Sequence, residues 1–236
     1  MQPYIIIIPC YNEEKRLEVN KFLAFSSLHP GVHFIFVNDG STDNTLEILN
    51  QIKVLLSSAE VINLPKNKGK GESVRQGFIK AIQKSSNYIG YLDADLSTSL
   101  EEFHHLHDKA LQYNLDMVLG SRIKKIDTVI QRSFFRHITG RIIATLIDKK
   151  YKLGVYDTQC GAKIFRSILV KKIMNNPFRT KWFFDVEILY RVKHLQLDCK
   201  SAEIPLRNWI NKKNSKLSVL SFPAVLKDLV TLFNKY

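Results

Sequence analysis

Two carboxylates separated by one residue, Asp93 and Asp95, directly follow a run of mainly apolar and aromatic residues, Tyr88–Leu92. Such a run predicts a buried strand, and because an unpaired buried charge is costly, we expect the strand to end at a cleft. Oxygen ligands of this type suit Mg²⁺ or Mn²⁺, and Mg²⁺ is often shared between carboxylates and substrate phosphates. A strand that leads into the acidic start of a helix would give the same pattern without catalysis, so Asp-Ala-Asp alone leaves both interpretations open.

The first half of the chain predicts alternating strands and helices that bring further polar residues to the same place. This alternation is typical of an α/β fold with a mostly parallel sheet and helices on both faces. Ligands on such sheets bind beyond the carboxyl ends of the strands, where Asn12, Glu13, Asp39 and Lys70 would join the two aspartates. We expect Pro9 to end the first strand and Asn12 to cap the first helix. The predicted strands are Tyr4–Ile8, His33–Val37, Glu60–Leu64 and Tyr88–Leu92, and the predicted helices run from Asn12 to about Phe25, from Ser41 to about Leu56, and over Glu72–Lys84.

The loop Gly69-Lys70-Gly71 is basic and rich in glycine, but it matches neither of the common phosphate-binding patterns. GxxxxGK[ST] and GxGxxG are both absent from the chain. The P-loop and the standard dinucleotide-binding motif are therefore excluded.

The second half of the chain is strongly basic. Between Arg122 and Lys172 there are 13 lysines and arginines against 3 acidic residues. Arg132 and Arg136 are four residues apart, so we expect both on one face of a helix that is otherwise apolar. Such a helix could pack on a membrane and hold a lipid phosphate, or it could be a core helix with a solvated basic face.

Two further features of this half are a second pair of carboxylates and an amphipathic end. Asp185 and Glu187 lie among aromatic residues at a predicted helix start, where either could be a general base or only a first-turn acid. From Arg207 onward, six basic residues accompany one acidic residue, and a helix there would either cover the core or lie on a bilayer. Its apolar positions are Phe222, Leu226, Leu229, Val230 and Phe233. The other predicted elements are helices Leu100–Gln112 and Trp182 to about His194, strands Asp116–Leu119 and Cys199–Leu206, and a loop returning to a strand within Tyr156–Phe165.

Composition limits the class of protein. The 236 residues are 45% apolar, enough for one large α/β domain, and the net charge of +13 indicates an anionic partner such as a phosphorylated substrate, nucleic acid or an anionic membrane face. Three widely spaced cysteines form no Cys-x-x-Cys pair, which indicates a reducing compartment and predicts neither a disulfide framework nor a zinc site. With no signal-peptide pattern and no run near 18 apolar residues, we expect a cytoplasmic protein that attaches peripherally to the membrane.

Taken together, the motifs resemble those of family 2 glycosyltransferases, whose nucleotide-sugar-binding fold, GT-A, is a Rossmann-like single domain. The resemblance covers nearly the whole chain. We accordingly divide the chain into a domain of residues 1–206 and a basic amphipathic segment of residues 207–236. The domain has a nucleotide-binding half (1–98) and an acceptor half (99–206). The wider family is marked by Pro9-Cys-Tyr-Asn-Glu-Glu, Val37-Asn-Asp-Gly-Ser-Thr-Asp, Asn67-Lys-Gly-Lys-Gly, Asp93-Ala-Asp-Leu-Ser and Gly120-Ser-Arg. Asp157-Thr-Gln-Cys-Gly and Phe184-Asp-Val-Glu favour the branch that transfers sugars to polyprenyl phosphates, and within it the enzymes that transfer glucose.

The resemblance implies a role for each motif residue. Asp93 and Asp95 would hold the Mg²⁺ or Mn²⁺ that bridges the donor diphosphate, and Asp95 would be catalytic. Asp185 and Glu187 would lie near the transferred sugar as catalytic candidates. The acceptor phosphate would meet Arg122, itself a catalytic candidate, together with Arg132 and Arg136. The donor would be bound by Pro9, Tyr11, Asn12, Glu13, Asp39, Gly69, Lys70, Asp93 and Ala94.

The implied reaction is an inverting transfer of a hexose to a dolichyl or undecaprenyl phosphate, with UDP-glucose as the favoured donor and GDP-mannose as the second. The acceptor phosphate is already anionic, so it needs positioning by arginines more than a strong base. Three alternatives remain open. The first is a family 2 enzyme that acts on a polysaccharide hydroxyl, which would need a general base. The second is a nucleotidyltransferase, which usually has a glycine-rich loop after its first strand. The third is a nucleic-acid-binding module, which would explain the net positive charge, although the chain shows no motif of that kind.

Overall fold

The computed structural model describes residues 3–126, 128–131, 134–196, 198–210 and 222–235 of the chain. Its strands are β1 (Tyr4–Cys10), β2 (Val32–Asn38), β3 (Ala59–Asn63), β4 (Tyr88–Leu92), β5 (Met117–Ser121), β6 (Val129–Gln131), β7 (Ala162–Arg166), β8 (Ser201–Pro205) and β9 (Asn208–Ile210). Its helices are α1 (Val19–Leu28), α2 (Thr45–Leu55), α3 (Lys70–Ala81), α4 (Leu100–Gln112), α5 (Phe134–Tyr151), α6 (Ser167–Ile173), α7 (Phe184–His194) and α8 (Phe222–Lys235).

Seven of these strands form one sheet in the order β3-β2-β1-β4-β7-β5-β8. β1 pairs in parallel with β2 and β4, and β5 pairs in parallel with β8. Only β7 among these seven is antiparallel to its neighbours, β4 and β5. The predicted α/β fold with a mostly parallel sheet is therefore confirmed, and a separate pair, β6 and β9, lies beside it.

Helices cover both faces of the sheet because its central strands are apolar on both sides. In β1, Tyr4, Ile6 and Ile8 pack into one core cluster with α1, α2 and α4. Ile5 and Ile7 point the other way, into a second cluster with α3, α6 and α7. This two-sided burial explains why β1 is a continuous apolar run without alternation.

The start of the first helix differs from the prediction. β1 continues through Pro9 to Cys10, and α1 begins only at Val19. Asn12 has a left-handed backbone (φ 49°), which a helix cannot continue, so it is not an N-cap.

Side chains from the loop after β2 and from the first residue of α2 accept the backbone N–H groups of the segment where a helix start was expected. The backbone N–H of Asn12 donates to Ser41 Oγ (2.9 Å), and that of Glu13 donates to Thr45 Oγ1 (2.7 Å). Asn12 returns the contact, because its Oδ1 accepts from the N–H of Thr42 (2.8 Å). The loops after β1 and β2 are thereby joined into one unit at the carboxyl edge of the sheet.

The C-terminal helix α8 packs against α5 and the start of α7. Leu229 and Leu232 are buried in a third apolar cluster with Ile147, Tyr151 and Phe183. The predicted apolar face is thus partly corrected, since Leu226 and Val230 are about half exposed and Leu232 takes their place in the core. No helix among the described residues is long and apolar enough to cross a membrane.

Candidate active site

The paired aspartates lie just beyond the carboxyl end of β4, as expected. The N–H of Asp93 donates to the carbonyl of Gly161 (3.1 Å), and Asp95 Oδ1 accepts from the N–H of Ser97 (2.9 Å), so both residues belong to a hydrogen-bonded turn. Ala94 between them is buried, whereas the side chains of Asp93 and Asp95 remain 37% and 23% exposed. A ligand at the strand ends can therefore reach both carboxylates.

A cation stands beside each aspartate. Lys70 Nζ lies 2.5 Å from Asp93 Oδ1, and the lysine occupies the first position of α3. Burial alone would lower the pKa of Lys70, but the negative charges of Asp93, Asp185 and Asp95 outweigh burial, so the pKa is raised and the lysine stays charged. The site thus combines carboxylates with a fixed ammonium group, which suits a metal-bound diphosphate.

Arg16 connects the first and fourth strand ends. Its Nη2 donates to Glu13 Oε1 (2.5 Å), and its Nη1 lies 3.8 Å from Asp95 Oδ2. Glu13 is buried, so this arginine neutralises a carboxylate that would otherwise be costly to bury. Arg16 therefore brings together Glu13, which was predicted to bind the sugar-nucleotide donor, and Asp95, which was predicted to be a metal ligand.

Asp39, at the end of β2, holds the glycine-rich loop. Its two carboxylate oxygens accept the backbone N–H groups of Lys68 (2.7 Å) and Gly69 (2.9 Å). Gly40 is required beside it, because it has a left-handed backbone (φ 63°) and a Cβ there would lie 2.5 Å from the backbone of Lys66. In this structure Asp39 shapes the loop that leads to Lys70, and its role in binding the sugar-nucleotide donor stays a prediction.

The segment before α7 packs on the same loop. A Cβ added to Gly69 would lie 3.5 Å from the Lys181 side chain, and one added to Gly71 would lie 2.8 Å from Phe184 Cβ. The aliphatic part of Lys181 thus lies against the glycine-rich loop, a contact that the sequence pattern does not indicate.

Asp185, the first predicted base, belongs to a buried polar network. Its Oδ1 accepts from Lys163 Nζ (2.5 Å) and from the Tyr91 hydroxyl. Lys163 is fully buried and also donates to the Cys160 carbonyl (2.6 Å). Burial first, and then the Asp185 charge, raise the pKa of Tyr91 well above its usual value, so Tyr91 remains a donor.

Glu187, the second predicted base, holds the segment before α7. It accepts the N–H of Arg179 (3.0 Å), the N–H of Thr180 (2.6 Å) and the Thr180 hydroxyl (2.5 Å), and it is completely buried. Arg191 Nη2 lies 3.6 Å away. These contacts fit a structural role for Glu187, and its catalytic assignment stays a prediction.

Arg122, which follows β5, is bound on two sides by Asp157. Its Nε and Nη2 donate to the two carboxylate oxygens (2.7 and 2.8 Å), and its backbone N–H donates to the same aspartate (3.1 Å). Burial would raise the pKa of Asp157, but Arg122 outweighs burial and holds that pKa well below its usual range. Glu203 in turn accepts the N–H of Asp157 (2.7 Å), and the Trp209 ring lies 5.5 Å from the guanidinium.

The other two predicted arginines cannot be placed in the same way. Arg132 lies outside the described residues, and of Arg136 the structure describes only its position in α5. Pro9 lies in β1 and is buried, and Tyr11 is half-buried in the loop that follows.

Sequence reasoning missed several residues that build this site. A lysine in the apolar strand Ala162–Arg166 could have indicated a buried ion pair, because a buried lysine needs a carboxylate. Asp157 and Gly161 were identified only as motif positions. Nothing in the local pattern indicated Arg16, Lys181 and Asp228, which depend on long-range packing. Asp228, on α8, accepts the backbone N–H groups of Lys181 (3.1 Å) and Trp182 (2.7 Å).

The donor atoms at the strand ends fit a hard divalent cation. Asp93 and Asp95 supply carboxylate oxygens, the ligand type that Mg²⁺ and Mn²⁺ prefer, and they are open to a ligand on one side. Two protein carboxylates are enough when a substrate diphosphate completes the coordination.

Comparison with known proteins agrees with this geometry. The sequence matches the family described as Glycosyl transferase family 2 over residues 5–174. It is 32% identical to dolichyl-phosphate beta-glucosyltransferase from Dictyostelium discoideum and 30% identical to that of Homo sapiens; both alignments cover 98% of this chain, and they cover 74% and 75% of the relatives.

A solved structure with the same fold is glucosyl-3-phosphoglycerate synthase from Mycobacterium tuberculosis in complex with Mn²⁺, UDP and glucosyl-3-phosphoglycerate. Its TM-score is 0.69 at 18% identity, and the match covers 99% of this chain and 79% of that one. The GT-A fold expected from the motifs is therefore confirmed. The chain belongs to glycosyltransferase family 2.

Proposed function

We propose that the protein transfers glucose from UDP-glucose to a polyprenyl phosphate, with inversion at the anomeric carbon. The observation that carries the donor half is the cluster of Asp93, Lys70, Asp95 and Arg16 at the strand ends. The sugar and the acceptor follow the curated relatives, which are named dolichyl-phosphate beta-glucosyltransferases. GDP-mannose is the second donor to be tested.

In the reaction, an oxygen of the acceptor phosphate forms a bond to the anomeric carbon, while the bond from that carbon to the β-phosphate oxygen breaks. The electron pair leaves with UDP. Asp93 and Asp95 would hold a divalent cation, which would supply charge neutralisation on the leaving diphosphate. Lys70 contributes a second positive charge at the same edge, and Asp39 fixes the loop that carries it.

The contacts of the two candidate bases favour a phosphate acceptor. Asp185 Oδ1 already accepts from Lys163 and Tyr91, and Glu187 is completely buried under backbone N–H donors. A neutral hydroxyl would need a base to remove its proton, whereas a phosphate anion needs none. This difference favours the polyprenyl phosphate over a glycan hydroxyl.

The surface beside α5 and α8 suits an approach from a membrane. Ile142, Leu146, Leu226 and Val230 are about half exposed and lie next to the packed faces of the two helices. The exposed lysines Lys149, Lys150 and Lys227 accompany them. Each such lysine near an anionic leaflet contributes about 1 kcal/mol, so we propose peripheral, salt-sensitive attachment.

The test is a transfer assay with purified protein, Mn²⁺, labelled UDP-glucose or GDP-mannose, and a short-chain polyprenyl phosphate. The matching polyprenyl alcohol and 3-phosphoglycerate serve as competing acceptors. We expect glucosyl transfer to the lipid phosphate only. Transfer to the alcohol or to 3-phosphoglycerate at an equal rate would refute the acceptor, and transfer only from GDP-mannose would refute the donor.

A variant pair tests the site itself. Asp95→Asn removes a charge beside the donor diphosphate, and we expect turnover to fall by orders of magnitude with an unchanged melting temperature. Asp198→Asn removes an equal charge from an exposed position and is the control. Full activity of Asp95→Asn in EDTA would refute the metal assignment.

A further inference from the structure

Three histidines and an aspartate cluster at the opposite end of the sheet from the candidate active site. His104, His107 and Asp108 have the spacing i, i+3, i+4, which places them on one face of α4. His29 follows the end of α1, and its ring centroid lies 4.0 Å from that of His104. The cluster borders Tyr4, the first residue of β1, and takes no part in the proposed transfer.

The possible ligand atoms of the α4 residues are close together. His104 Nε2 lies 3.7 Å from Asp108 Oδ2, and His107 Nδ1 lies 4.0 Å from Asp108 Oδ1. One atom from each of the three residues can be chosen so that all lie within 4.8 Å of one another. Ligands bound at about 2.0–2.2 Å to one zinc ion lie at most roughly 4 Å apart, so side-chain shifts of about 1 Å would close the site.

Buried nitrogens in this cluster have no hydrogen-bond partner. His107 is fully buried, and neither of its ring nitrogens is hydrogen-bonded; the same holds for Nδ1 of His29. A buried polar atom without a hydrogen-bond partner destabilises the folded protein, and a bound metal ion would give these ring nitrogens a partner. Stacking of His107 on Tyr4, with centroids 4.0 Å apart, fixes the ring but leaves its nitrogens unsatisfied.

A further contact prepares His104 as a ligand. Its Nδ1 lies 2.9 Å from the Tyr4 hydroxyl, so an N–H at Nδ1 can donate there while Nε2 keeps its lone pair toward Asp108. Metal-binding histidines commonly make such a bond through the second nitrogen.

We propose that His104, His107 and Asp108 bind one transition-metal ion of the zinc type, with His29 beside the site. Imidazole ligands favour Zn²⁺, Co²⁺ and Ni²⁺ over Mg²⁺, whereas the carboxylates at the strand ends favour hard cations, so the two sites differ in metal preference. The exposed Asp108 gives the ion access from solvent. Bound metal would join two successive turns of α4 and stabilise the folded protein.

The experiment measures Zn²⁺ and Co²⁺ binding to the full chain by equilibrium dialysis in excess Mg²⁺, together with the melting temperature. We expect one Zn²⁺ per chain and a rise in melting temperature. Affinity should fall at least about tenfold in His104→Gln and in Asp108→Asn, both of which change partly exposed side chains, and the thermal shift should disappear.

Two controls separate this site from others. His105→Gln alters the neighbouring histidine on the same helix and should bind Zn²⁺ like the original protein. Asp95→Asn should also keep Zn²⁺ binding, because it changes only the other end of the sheet. The proposal is overturned if no Zn²⁺ binds at micromolar concentration, or if His104→Gln and Asp108→Asn bind it as tightly as His105→Gln.

Discussion

Gly161→Ala tests whether the orientation of Asp93 is what the site requires. A Cβ on residue 161 would lie 2.1 Å from Asp93 Oδ2 and 2.6 Å from Oδ1, whereas ordinary contacts begin at 3.4 Å. The backbones of the two residues are joined by the hydrogen bond between the Asp93 N–H and the Gly161 carbonyl, so the carboxylate must rotate away. Asp93 Oδ2 must therefore move by about 1.3 Å, the difference between the ordinary contact distance of 3.4 Å and the 2.1 Å that the added Cβ would leave.

This displacement should lower the catalytic rate strongly and the stability of the fold only slightly. A misplacement of about 1 Å can cost about 10²-fold in rate, which corresponds to about 2.7 kcal/mol of transition-state stabilisation. The carboxylate would also leave Lys70, whose Nζ is 2.5 Å from Asp93 Oδ1. We therefore expect kcat/KM to fall about a hundredfold and the Mn²⁺ concentration for half-maximal activity to rise, with a change of a few degrees at most in melting temperature.

Gly154→Ala is the matched control. Gly154 has a left-handed backbone (φ 67°), which Gly161 does not, and a Cβ there meets nothing within 4 Å. It should cost about 1–2 kcal/mol of stability through backbone strain and leave kcat/KM unchanged. The reasoning fails if Gly161→Ala keeps kcat/KM within twofold of the original protein, or if Gly154→Ala loses activity to the same extent.

Three further predictions concern the second half of the chain. Asp157→Ala leaves Arg122 buried without its bidentate partner, so it should lower the free energy of unfolding by about 3–5 kcal/mol in urea titrations. A double variant in which Arg122 is also replaced by Met should show a smaller decrease in the free energy of unfolding. Asp228→Ala removes the acceptor of three backbone N–H groups before α7 and should raise KM for the sugar nucleotide, whereas Asn234→Ala on the exposed side of α8 should not. Leu226→Ser should weaken sedimentation with anionic vesicles without changing transfer to a short soluble acceptor, and unchanged sedimentation would refute the membrane surface.

The sequence predicted correctly those elements whose ends are fixed by residues within or next to the element. The predicted bounds of β4 and α4 agree with the structure, because the strand ends at a carboxylate and Ser99 caps the helix through the N–H of Glu102 (3.2 Å). The predicted helix start at Asn12 is wrong for the opposite reason. Backbone N–H groups of its loop donate to side chains about 30 residues later, such as that of Ser41, and no local pattern indicates such partners.

The candidate site shows the same division. The positions of Asp93, Asp95 and Lys70 followed from strand ends, since a parallel sheet gathers these at one edge. Sequence alone could not pair Lys163 with Asp185, because the two residues lie on different elements and meet only through burial. The sequence identified Asp185 as a candidate base but could not show that its oxygen already accepts two hydrogen bonds.

The place of the antiparallel strand β7 in the sheet limits which strands can pair while the chain is being synthesised. The sheet neighbours of β5 are β7 and β8, and both follow it in the sequence. The second edge of β4 is also covered only by β7. A nascent chain can therefore assemble β3, β2, β1 and β4, but the second edge of β4 stays unpaired until β7 has left the ribosome, and one edge of β5 stays unpaired until β8 follows. Such edges promote aggregation, so slow elongation through residues 93–166 should increase dependence on chaperones.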